Sequence, residues 1–447
     1  LERYYHTGRY LEDRPLIPEI IREYHMRLYS MNLLDFGSIL VECGRLFVQH
    51  PEVKETCTSA INHVLVDEIQ DANAIQHHGF LDHFSPPATF FAVGDRKQSI
   101  YKFRGARPDL MTERHPNAQI VDLNECFRCS DYIVEAANSL IKHNDDPLSV
   151  EMTGCSGQVG MTAAAYGRTE MIADGLQRFI DDDVALREIA IMARTHRSLK
   201  RMEQVLDERQ IPCHRVGSRF DICTTDEFRG LHAAFRLMVN PSDNLAFLRL
   251  KRTLAIPNKV YADIRGIAGG SSHLLAAPKS EISASQRELF EKLADGRFPN
   301  TVQEASKQLI AYLTLQLTPE WLAVDEFWSG QHGLLSIQSA LRSFALRDQQ
   351  DDLPSDDVVT LVTIHGAKGL EWPVCLVINM NEGDFPGTKV KTDEEMEEER
   401  RVCYVAMTRA ERALVMHYRR PEDQAAPKGK KKPKPPSRFL AEAGVLV

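Results

Sequence analysis

Short apolar runs rich in β-branched residues recur along the chain, and each run ends beside a turn-forming or charged residue. Seven such runs are "HVLVD" (63–67), "FFAVGD" (90–95), "QIVDL" (119–123), "IAIMAR" (189–194), "VVTLVTI" (358–364), "VCLVIN" (374–379) and "ALVMHY" (413–418). Uninterrupted apolar runs of this length are typical of strands buried on both faces of a parallel sheet. Segments with helical spacing lie between them, such as "YIVEAANSLIKH" (132–143) and "RSLKRMEQVLDER" (197–209). This alternation predicts an α/β fold with parallel sheets.

The stretch from residue 221 to residue 350 has a different pattern, because helical spacing dominates it and no strong strand run interrupts it. Examples are "NLAFLRLKRTLAI" (244–256) and "TVQEASKQLIAYLTLQL" (301–317). We therefore expect a mainly helical domain, inserted between two parts of one α/β domain.

Composition indicates a globular protein of two or three domains, since the 447 residues are 43% hydrophobic and 26% charged. The net charge of −9 does not by itself indicate nucleic acid as a partner, because polyanion binding depends on local basic clusters. No apolar run of about 18 residues and no signal-peptide pattern occurs, which argues against a membrane partner. Nine scattered cysteines fit a reducing compartment, so a cytoplasmic location is expected.

The run "VLVDEIQD" (64–71) places Asp67 and Glu68 directly after a strand. Parallel α/β folds bind ligands at the carboxyl edge of the sheet, where these two carboxylates would lie. In nucleoside triphosphatases the first acid of such a pair holds Mg²⁺ and the second polarises the attacking water. The alternative is that both acids cap the next helix.

The run "FFAVGDRKQSIYKFRGA" (90–106) also passes from a strand into polar residues. Gln98 lies where a side-chain amide can bond a γ-phosphate or its water. The aromatic residues Tyr101 and Phe103, followed by Arg104, could stack on unpaired bases. The alternative is that both aromatic rings belong to a core.

Together these segments resemble the UvrD/Rep/PcrA type of superfamily-one DNA helicase, and further motifs follow in the order of that family. The segments similar to motifs II to VI are, in order, "VLVDEIQDAN" (64–73), "VGDRKQSIYKFRGA" (93–106), "LNECFRCS" (123–130), "LVTIHGAKGLEW" (361–372) and "EERRVCYVAMTRAERAL" (398–414). "LLDFGSIL" (33–40) and "SRFL" (437–440) are similar to flanking signatures. The resemblance covers nearly the whole chain.

The resemblance implies RecA-like parallel-sheet domains of the P-loop NTPase type, with ATP and Mg²⁺ as cofactors. It makes Asp67 the Mg²⁺ ligand, Glu68 the general base and Gln98 the γ-phosphate sensor. Arg128 and Arg409 would reach the γ-phosphate from the second RecA-like domain, where such arginines stabilise transition-state charge.

The resemblance also assigns residues to the nucleotide and to DNA. Phe127 would stack on the adenine, Glu371 would contact the ribose, and Gly369 would lie in the same nucleotide-binding segment. The residues that match positions along the single-strand path are Tyr101, Phe103, Arg104 and His365. The implied activity is ATP-dependent movement on single-stranded or partly duplex DNA, 3′ to 5′, in DNA repair or recombination.

Motif IV departs from the family pattern Asn-Tyr-Arg-Ser, because this chain has "CFRC" (126–129). Phe127 retains a ring for stacking, but the tyrosine hydroxyl and the asparagine amide are lost. Cys126 and Cys129 form a Cys-x-x-Cys spacing, yet no second Cys-x-x-Cys or Cys-x-x-His pair accompanies it, so no zinc or redox site is predicted. "DFG" (35–37) lacks the other kinase signatures and is treated as coincidence.

A P-loop requires a glycine-rich turn ending in Gly-Lys-Ser/Thr, and no segment fits it. Ala367-Lys368-Gly369 belongs to motif V, and the lysine tail follows no strand. Since the family carries its P-loop upstream of motif II, we expect the chain to be a fragment, or a natural variant, that hydrolyses ATP poorly.

The resemblance divides the chain into parts. These are the end of a first RecA-like domain (1–117), a second RecA-like domain (118–220 and 351–422), a helical regulatory insertion (221–350) and a basic flexible tail (423–447). Lys430 to Lys432 in that tail could add salt-dependent affinity for DNA.

Two rival functions remain open. One is a non-catalytic DNA-binding or regulatory subunit of a helicase–nuclease complex; the other is the helicase arm of a recombination nuclease or repair assembly. Lys97 and Pro373 are more similar to the RecB/AddA branch than to UvrD itself.

Overall fold

The computed structural model describes residues 16–30, 34–84, 89–113, 115–146, 150–157, 159–217, 222–260, 282–345, 353–354, 356–424 and 433–446. Three features named in the sequence analysis lie outside these residues. They are the lysines at 430–432, the start of the expected first RecA-like domain and most of the expected domain boundary near residue 350. The chain forms two compact units, Leu1–Arg215 with Pro354–Val447, and Val216–Leu353. No helix among the described residues is long and apolar enough to cross a bilayer.

The elements are numbered here in chain order. The strands are β1 (His63–Val66), β2 (Thr89–Ala92), β3 (Glu125–Cys126), β4 (Thr153–Gly154), β5 (Met161–Tyr166), β6 (Ile189–Ala193), β7 (Cys213–Arg215), β8 (Val359–Thr363), β9 (Trp372–Val377) and β10 (Ala410–Tyr418). The α-helices of the first unit are α1 (Ile17–Ser30), α2 (Phe36–Gln49), α3 (Pro51–Thr58), α4 (Ala74–Gly79), α5 (Leu110–Glu113), α6 (Asp131–Ile141), α7 (Glu170–Asp181) and α8 (His196–Glu208), with α15 (Asp393–Met407) and α16 (Arg438–Glu442) after the second unit. Those of the second unit are α9 (Asp226–Val239), α10 (Asn244–Thr253), α11 (Ala284–Ala294), α12 (Val302–Leu313), α13 (Pro319–His332) and α14 (Ile337–Ala345).

Six strands of the described residues form one parallel sheet in the order β5-β10-β9-β6-β8-β7. The central strands β6 and β8 are buried at every position, which explains their uninterrupted apolar sequences. Helices α7 and α8 pack on the sheet through Leu176, Leu199 and Leu206, each fully buried. The prediction of an α/β fold with parallel sheets is confirmed.

Strands β1 and β2 form a separate parallel pair, in which His63 lies opposite Thr89 and Val66 opposite Ala92. The expectation that these strands are buried on both faces is wrong for the described residues. Leu65 is 74% exposed and Phe91 62% exposed, because they point to the uncovered face of the pair. One face of this small sheet thus remains apolar and open in the described part of the chain.

The prediction of a strand at 119–123 is also wrong. The backbone there forms no strand, and Ile120 and Leu123 are 69% and 86% exposed. Pairing begins only at β3, which lies beside β4. Without a neighbouring strand among the described residues, a β-branched run cannot satisfy its backbone groups in a ladder.

The unit Val216–Leu353 is helical in its described residues and has its own core. Trp328 is fully buried at its centre and stacks on Phe228, with ring centroids 5.5 Å apart. Side-chain caps begin several helices: Thr225 accepts from the Phe228 amide, and Asp243 from the Ala246 amide. Local capping and the apolar core together specify this unit.

Candidate nucleotide and nucleic-acid site

Asp67 and Glu68 follow the end of β1 and are both exposed. The Asp67 carboxylate accepts a hydrogen bond from the Glu68 amide at 2.8 Å. Glu68 has a left-handed backbone, with φ of 50° and ψ of 39°. A non-glycine residue in this region costs of the order of 1 kcal/mol, and such strain concentrates at functional sites. The strand end therefore presents two adjacent carboxylates to ligands.

Gln70 connects this strand end to the end of β2. Its Oε1 accepts a hydrogen bond from the Asp95 amide at 3.1 Å. A Cβ atom at Gly94 would lie 2.5 Å from that oxygen and 2.8 Å from Ile69 Cγ2. Glycine at 94 is therefore required for the close approach of the two strand ends, a role that sequence patterns did not reveal.

Gln98 lies on a short 3₁₀ turn, Arg96–Gln98, that follows Asp95. The Asp95 carboxylate accepts from the Lys97 amide and from Gln98 Nε2, each at 2.9 Å. Gln98 Oε1 in turn accepts from Arg409 Nη2 at 3.2 Å. The amide of Gln98 is thus oriented from both sides, by Asp95 and by Arg409.

Arg409 follows α15 and is only 2% exposed. Its guanidinium donates to the carbonyls of Val405 at 3.1 Å and Leu370 at 3.2 Å. Burial lowers the pKa of Arg409 below its usual range, and the nearby charge of Arg128 lowers it further. A buried cation is therefore held against Gln98 by backbone carbonyls.

Arg128 and Glu371 form an ion pair. Both side chains are partly exposed, 40% and 49%, so the pair contributes at most about 1 kcal/mol to stability. Phe127, beside Arg128, is 68% exposed. Gly369 has φ of 84°, which favours glycine there. The structure therefore brings together Arg128 and Glu371, residues expected at opposite ends of the nucleotide.

Lys368 contacts residues that follow β1 and a residue that follows β2. It was not among the expected site residues. Its Nζ lies 3.0 Å from the Glu68 carboxylate, donates to the Gln98 carbonyl at 3.1 Å, and also pairs with Asp71. The side chain is 8% exposed. Burial raises the pKa of Asp71, while the Lys368 ammonium opposes that rise. The only feature of the sequence that could have indicated this contact is a lysine within a turn of small residues after the buried strand β8.

Tyr101, Phe103 and His365 form an aromatic cluster. The His365 ring centroid lies 6.1 Å from that of Tyr101 and 5.9 Å from that of Phe103. The guanidinium of Arg104 lies 5.0 Å from the Tyr101 ring and 5.6 Å from the Phe103 ring. Burial lowers the pKa of His365 to about 4, so its ring is neutral at pH 7. This arrangement suits the stacking of unpaired bases beside a cation.

Lys97, which suggested the RecB/AddA branch, is buried and packs between two other segments of the chain. It is 8% exposed, donates to the Val150 carbonyl and lies 5.5 Å from the Tyr404 ring. Burial lowers its pKa. These contacts account for a lysine at this position without a role in catalysis.

The residues near Asp67 are compatible with Mg²⁺. The described residues contain no group of three or more histidine, cysteine or carboxylate side chains that could hold a metal ion. Mg²⁺ bound with nucleotide commonly takes one or two carboxylates and otherwise phosphate and water oxygens. An exposed Asp67 after a strand fits that donor set.

Two family models match the chain. The UvrD/REP helicase N-terminal domain matches residues 7–119, and the UvrD-like helicase C-terminal domain matches residues 121–309 and 323–421. Together the matches include every residue of the site described above.

Several curated proteins are similar along almost the whole chain. ATP-dependent DNA helicase PcrA of Bacillus subtilis (strain 168) is 28% identical over 480 residues, covering 96% of this chain. DNA helicase II of Escherichia coli (strain K12) is 26% identical over 469 residues, covering 95%. ATP-dependent DNA helicase Rep of Salmonella typhimurium (strain LT2) is 25% identical over 480 residues, covering 94%.

The chain spans 64% of the length of the first two relatives and 68% of the third. The C-terminal family model alone matches more than half of the chain, and the N-terminal model matches most of what precedes it. The chain therefore belongs to the family of UvrD/Rep-like helicases.

Proposed function

We propose that the protein is an ATP-dependent DNA helicase or translocase that moves on single-stranded DNA. The observation that carries the proposal is that residues after β1 and β2 contact residues of the segments 361–372 and 398–414. Arg409 bonds Gln98, and Lys368 bonds Glu68. The similar relatives are named as DNA helicases, two of them as ATP-dependent.

The proposed nucleotide chemistry uses residues that follow β1 and β2 together with Arg409 from the segment 398–414. Asp67 would hold Mg²⁺, which would neutralise charge on the phosphates. Glu68 would accept the proton of the attacking water once its contact with Lys368 is exchanged. Gln98 would orient that water or the terminal phosphate, and Arg409, already against Gln98, would stabilise the charge that develops there.

Arg128 and Glu371 would part when nucleotide binds. After separation, Arg128 would be available to the terminal phosphate and Glu371 to the ribose. The exposed ring of Phe127 is available for the adenine, beside Gly369. Because the Arg128–Glu371 pair is partly exposed, breaking it costs little.

Coupling to DNA would pass through two short segments. Gln98 and Tyr101 belong to one, while His365 and Lys368 belong to the other. The Lys368 ammonium lies 5.4 Å from the Tyr101 ring, so the nucleotide-side cation also contacts the base-stacking cluster. A shift of Lys368 on nucleotide binding would therefore move Tyr101 and change the grip on a base.

Further parts of the proposal rest on the family relationship. They are movement 3′ to 5′, a role in DNA repair or recombination, and a nuclease or repair subunit as partner. They also include the division into two RecA-like domains with a helical regulatory insertion at 221–350, which overlaps the unit Val216–Leu353.

The proposal is tested by ATP hydrolysis in the natural protein that carries this sequence, with and without single-stranded DNA. Hydrolysis should rise with DNA and be lost in Glu68→Gln, whereas binding of labelled oligonucleotide should persist. DNA binding with no hydrolysis in the wild type would contradict the proposal and favour the non-catalytic subunit. Equal hydrolysis by wild type and variant would remove Glu68 from its role.

A further inference from the structure

Ser99 is a buried residue between Gln98 and Tyr101. It is only 3% exposed, and its hydroxyl donates to the Gln70 carbonyl at 3.2 Å. The next residue, Ile100, is fully buried. The backbone between the nucleotide-side amide of Gln98 and the aromatic ring of Tyr101 therefore belongs to a packed, hydrogen-bonded interior.

Arg401 of helix α15 holds the carbonyl of Ser99. Its Nε donates to that oxygen at 3.1 Å, and its Nη1 lies 3.8 Å from the carboxylate of Glu397, one helical turn earlier. The Arg401 side chain is 14% exposed. A charged donor strengthens a hydrogen bond, and the exclusion of water strengthens it further. Ser99 is thus attached to α15 through its carbonyl and to the segment after β1 through its hydroxyl.

Helix α15 and the turn that follows it contact two adjacent residues of the segment 98–101. Arg401 bonds the backbone of Ser99, while Arg409 bonds the side chain of Gln98 at 3.2 Å. Arg409 is itself attached to α15, because its Nε donates to a carbonyl of that helix at 3.1 Å. A shift of Tyr101 is therefore passed to α15 through the Ser99 carbonyl. From α15 the shift reaches Gln98 through Arg409.

We propose that Arg401 is a positioning residue that couples the stacking of a base on Tyr101 to ATP hydrolysis at Gln98. The inference rests on the proposed function and adds a second connection to it, separate from the contact of Lys368 with Tyr101. Arg401 acts through the Ser99 carbonyl. Without the guanidinium that carbonyl loses this donor, and the segment 98–101 can respond to DNA without moving α15. The stimulation of hydrolysis by DNA therefore depends on Arg401, whereas hydrolysis without DNA does not.

Arg400 offers a matched control, because it lies beside Arg401 in α15 and its side chain is also 14% exposed. Its guanidinium bonds the Glu442 carboxylate at 2.8 and 3.1 Å and the His143 carbonyl at 3.2 Å. These partners lie in α16 and just after α6. Replacing either arginine removes a buried cation and its hydrogen bonds from the same helix, whereas the contact with the segment 98–101 belongs to Arg401.

The test compares ATP hydrolysis without DNA and with saturating single-stranded DNA, in the natural protein that carries this sequence and in its variants. Arg401→Ala should keep the rate without DNA and lose most of the stimulation by DNA. Arg401→Lys, which also serves if the alanine variant does not fold, should show an intermediate stimulation, since lysine supplies a donor without the planar fork. Arg400→Ala should be stimulated as wild type is. Full stimulation in either variant of Arg401, or an equal loss in Arg400→Ala, would overturn the inference.

Amide hydrogen exchange gives a second readout that does not require hydrolysis. A single-stranded oligonucleotide should slow exchange in the segment 98–101 and in α15 of wild type, because the helix is held through Ser99. In Arg401→Ala it should slow exchange in the segment alone. Equal slowing of α15 in wild type and variant, or no slowing of α15 in wild type, would overturn the inference. If wild type shows the expected exchange but no hydrolysis, the proposed function fails and the connection through Arg401 stands.

Discussion

At the scale of single residues, Lys368 connects more of the site than any expected residue does. It contacts Glu68, Asp71 and the Gln98 carbonyl at the nucleotide side, and Tyr101 at the aromatic side. Each contact is a charge or ring interaction within a largely buried environment, where electrostatic interactions are stronger than in water. Lys368 is therefore the residue through which the two functions of the site would communicate.

Lys368→Ala should lower the free energy of unfolding by about 1 to 3 kcal/mol, because the partly buried Asp71 loses its hydrogen-bond donor. Lys368 holds down the pKa of Asp71, so its removal raises that pKa further and favours the protonated carboxyl in the folded state. The loss should therefore be largest at neutral pH and shrink as pH falls through the raised folded-state pKa of Asp71 towards about 4, below which Asp71 is protonated in both the folded and unfolded states.

Chemical denaturation at several pH values measures this effect. Lys102→Ala is the matched control, because that lysine pairs with Glu394 in a partly exposed position. A loss that does not depend on pH would show that Asp71 is not coupled to Lys368.

Phe103→Ala should weaken binding of single-stranded DNA by about 1 to 3 kcal/mol, the usual contribution of one stacked base. Phe103 is 48% exposed and contacts the His365 ring, so its removal should cost little stability. Fluorescence anisotropy with labelled oligonucleotides of mixed sequence measures the change. Tyr132→Ala, at a 60% exposed aromatic outside the cluster, should bind as wild type, and equal losses in both variants would remove the cluster from the DNA path.

At the scale of elements, strand β10 contains a buried histidine with a strongly shifted pKa. His417 is 3% exposed, and burial lowers its pKa to about 4. The unfolded chain takes up a proton near pH 6.5, before the folded protein does. The stability that His417 contributes is therefore complete above about pH 6.5 and is lost as pH falls towards 4.

The free energy of unfolding should thus fall between pH 6.5 and 4, with a share of roughly 2 to 3 kcal/mol from His417. His417→Gln does not titrate in this range and should show a shallower fall, measured by denaturation at stepped pH. The half-buried His365 also has a pKa of about 4, so replacing it provides a comparison within the same unit. An unchanged slope in His417→Gln would contradict the assignment.

Helix α15 begins with a capping box, in which Thr392 accepts from the Glu395 amide and Glu395 from the Thr392 amide. The helix positions Arg401, which donates to the Ser99 carbonyl at 3.1 Å next to Gln98. Thr392→Ala should cost about 0.5 to 2 kcal/mol, and Thr392→Ser much less. Thermal unfolding followed by circular dichroism compares the two; equal losses would show that the side-chain cap is not the cause.

Sequence patterns predict elements best where burial on both faces dictates composition, as in β6 and β8. They miss β5 and β7, the edge strands, because β5 is alanine-rich and β7 has three residues. They also assign a strand at 119–123, where no strand of the described residues pairs with the apolar run. A composition typical of strands therefore does not ensure pairing, which depends on residues distant in the chain.

The same distinction applies to the site. The positions of Asp67, Glu68 and Gln98 are predictable because these residues follow apolar strand runs, and parallel strands end at one edge. The contacts of Lys368, Gln70 and Gly94 depend on how separate segments approach each other, which no local pattern encodes. The pairing of Arg128 with Glu371 was not foreseen for the same reason.

At the scale of the whole molecule, the two units have separate cores. Every residue assigned to the nucleotide or to DNA lies in the unit Leu1–Arg215 with Pro354–Val447. The helical unit therefore supplies none of the proposed chemistry, and its described residues are organised around Trp328. The net charge of −9 is compatible with DNA binding because the proposed DNA contacts are aromatic rings and a few local cations.

A stopped-flow translocation assay on the natural protein measures ATP-driven movement along single-stranded DNA. Oligonucleotides of increasing length carry a fluorophore at either the 5′ or the 3′ end. With the 5′ label, we expect the delay before the signal to grow in proportion to oligonucleotide length, and we expect this signal to disappear in Glu68→Gln. A signal independent of length in the presence of ATP, with DNA bound, would show that the protein does not move along the strand.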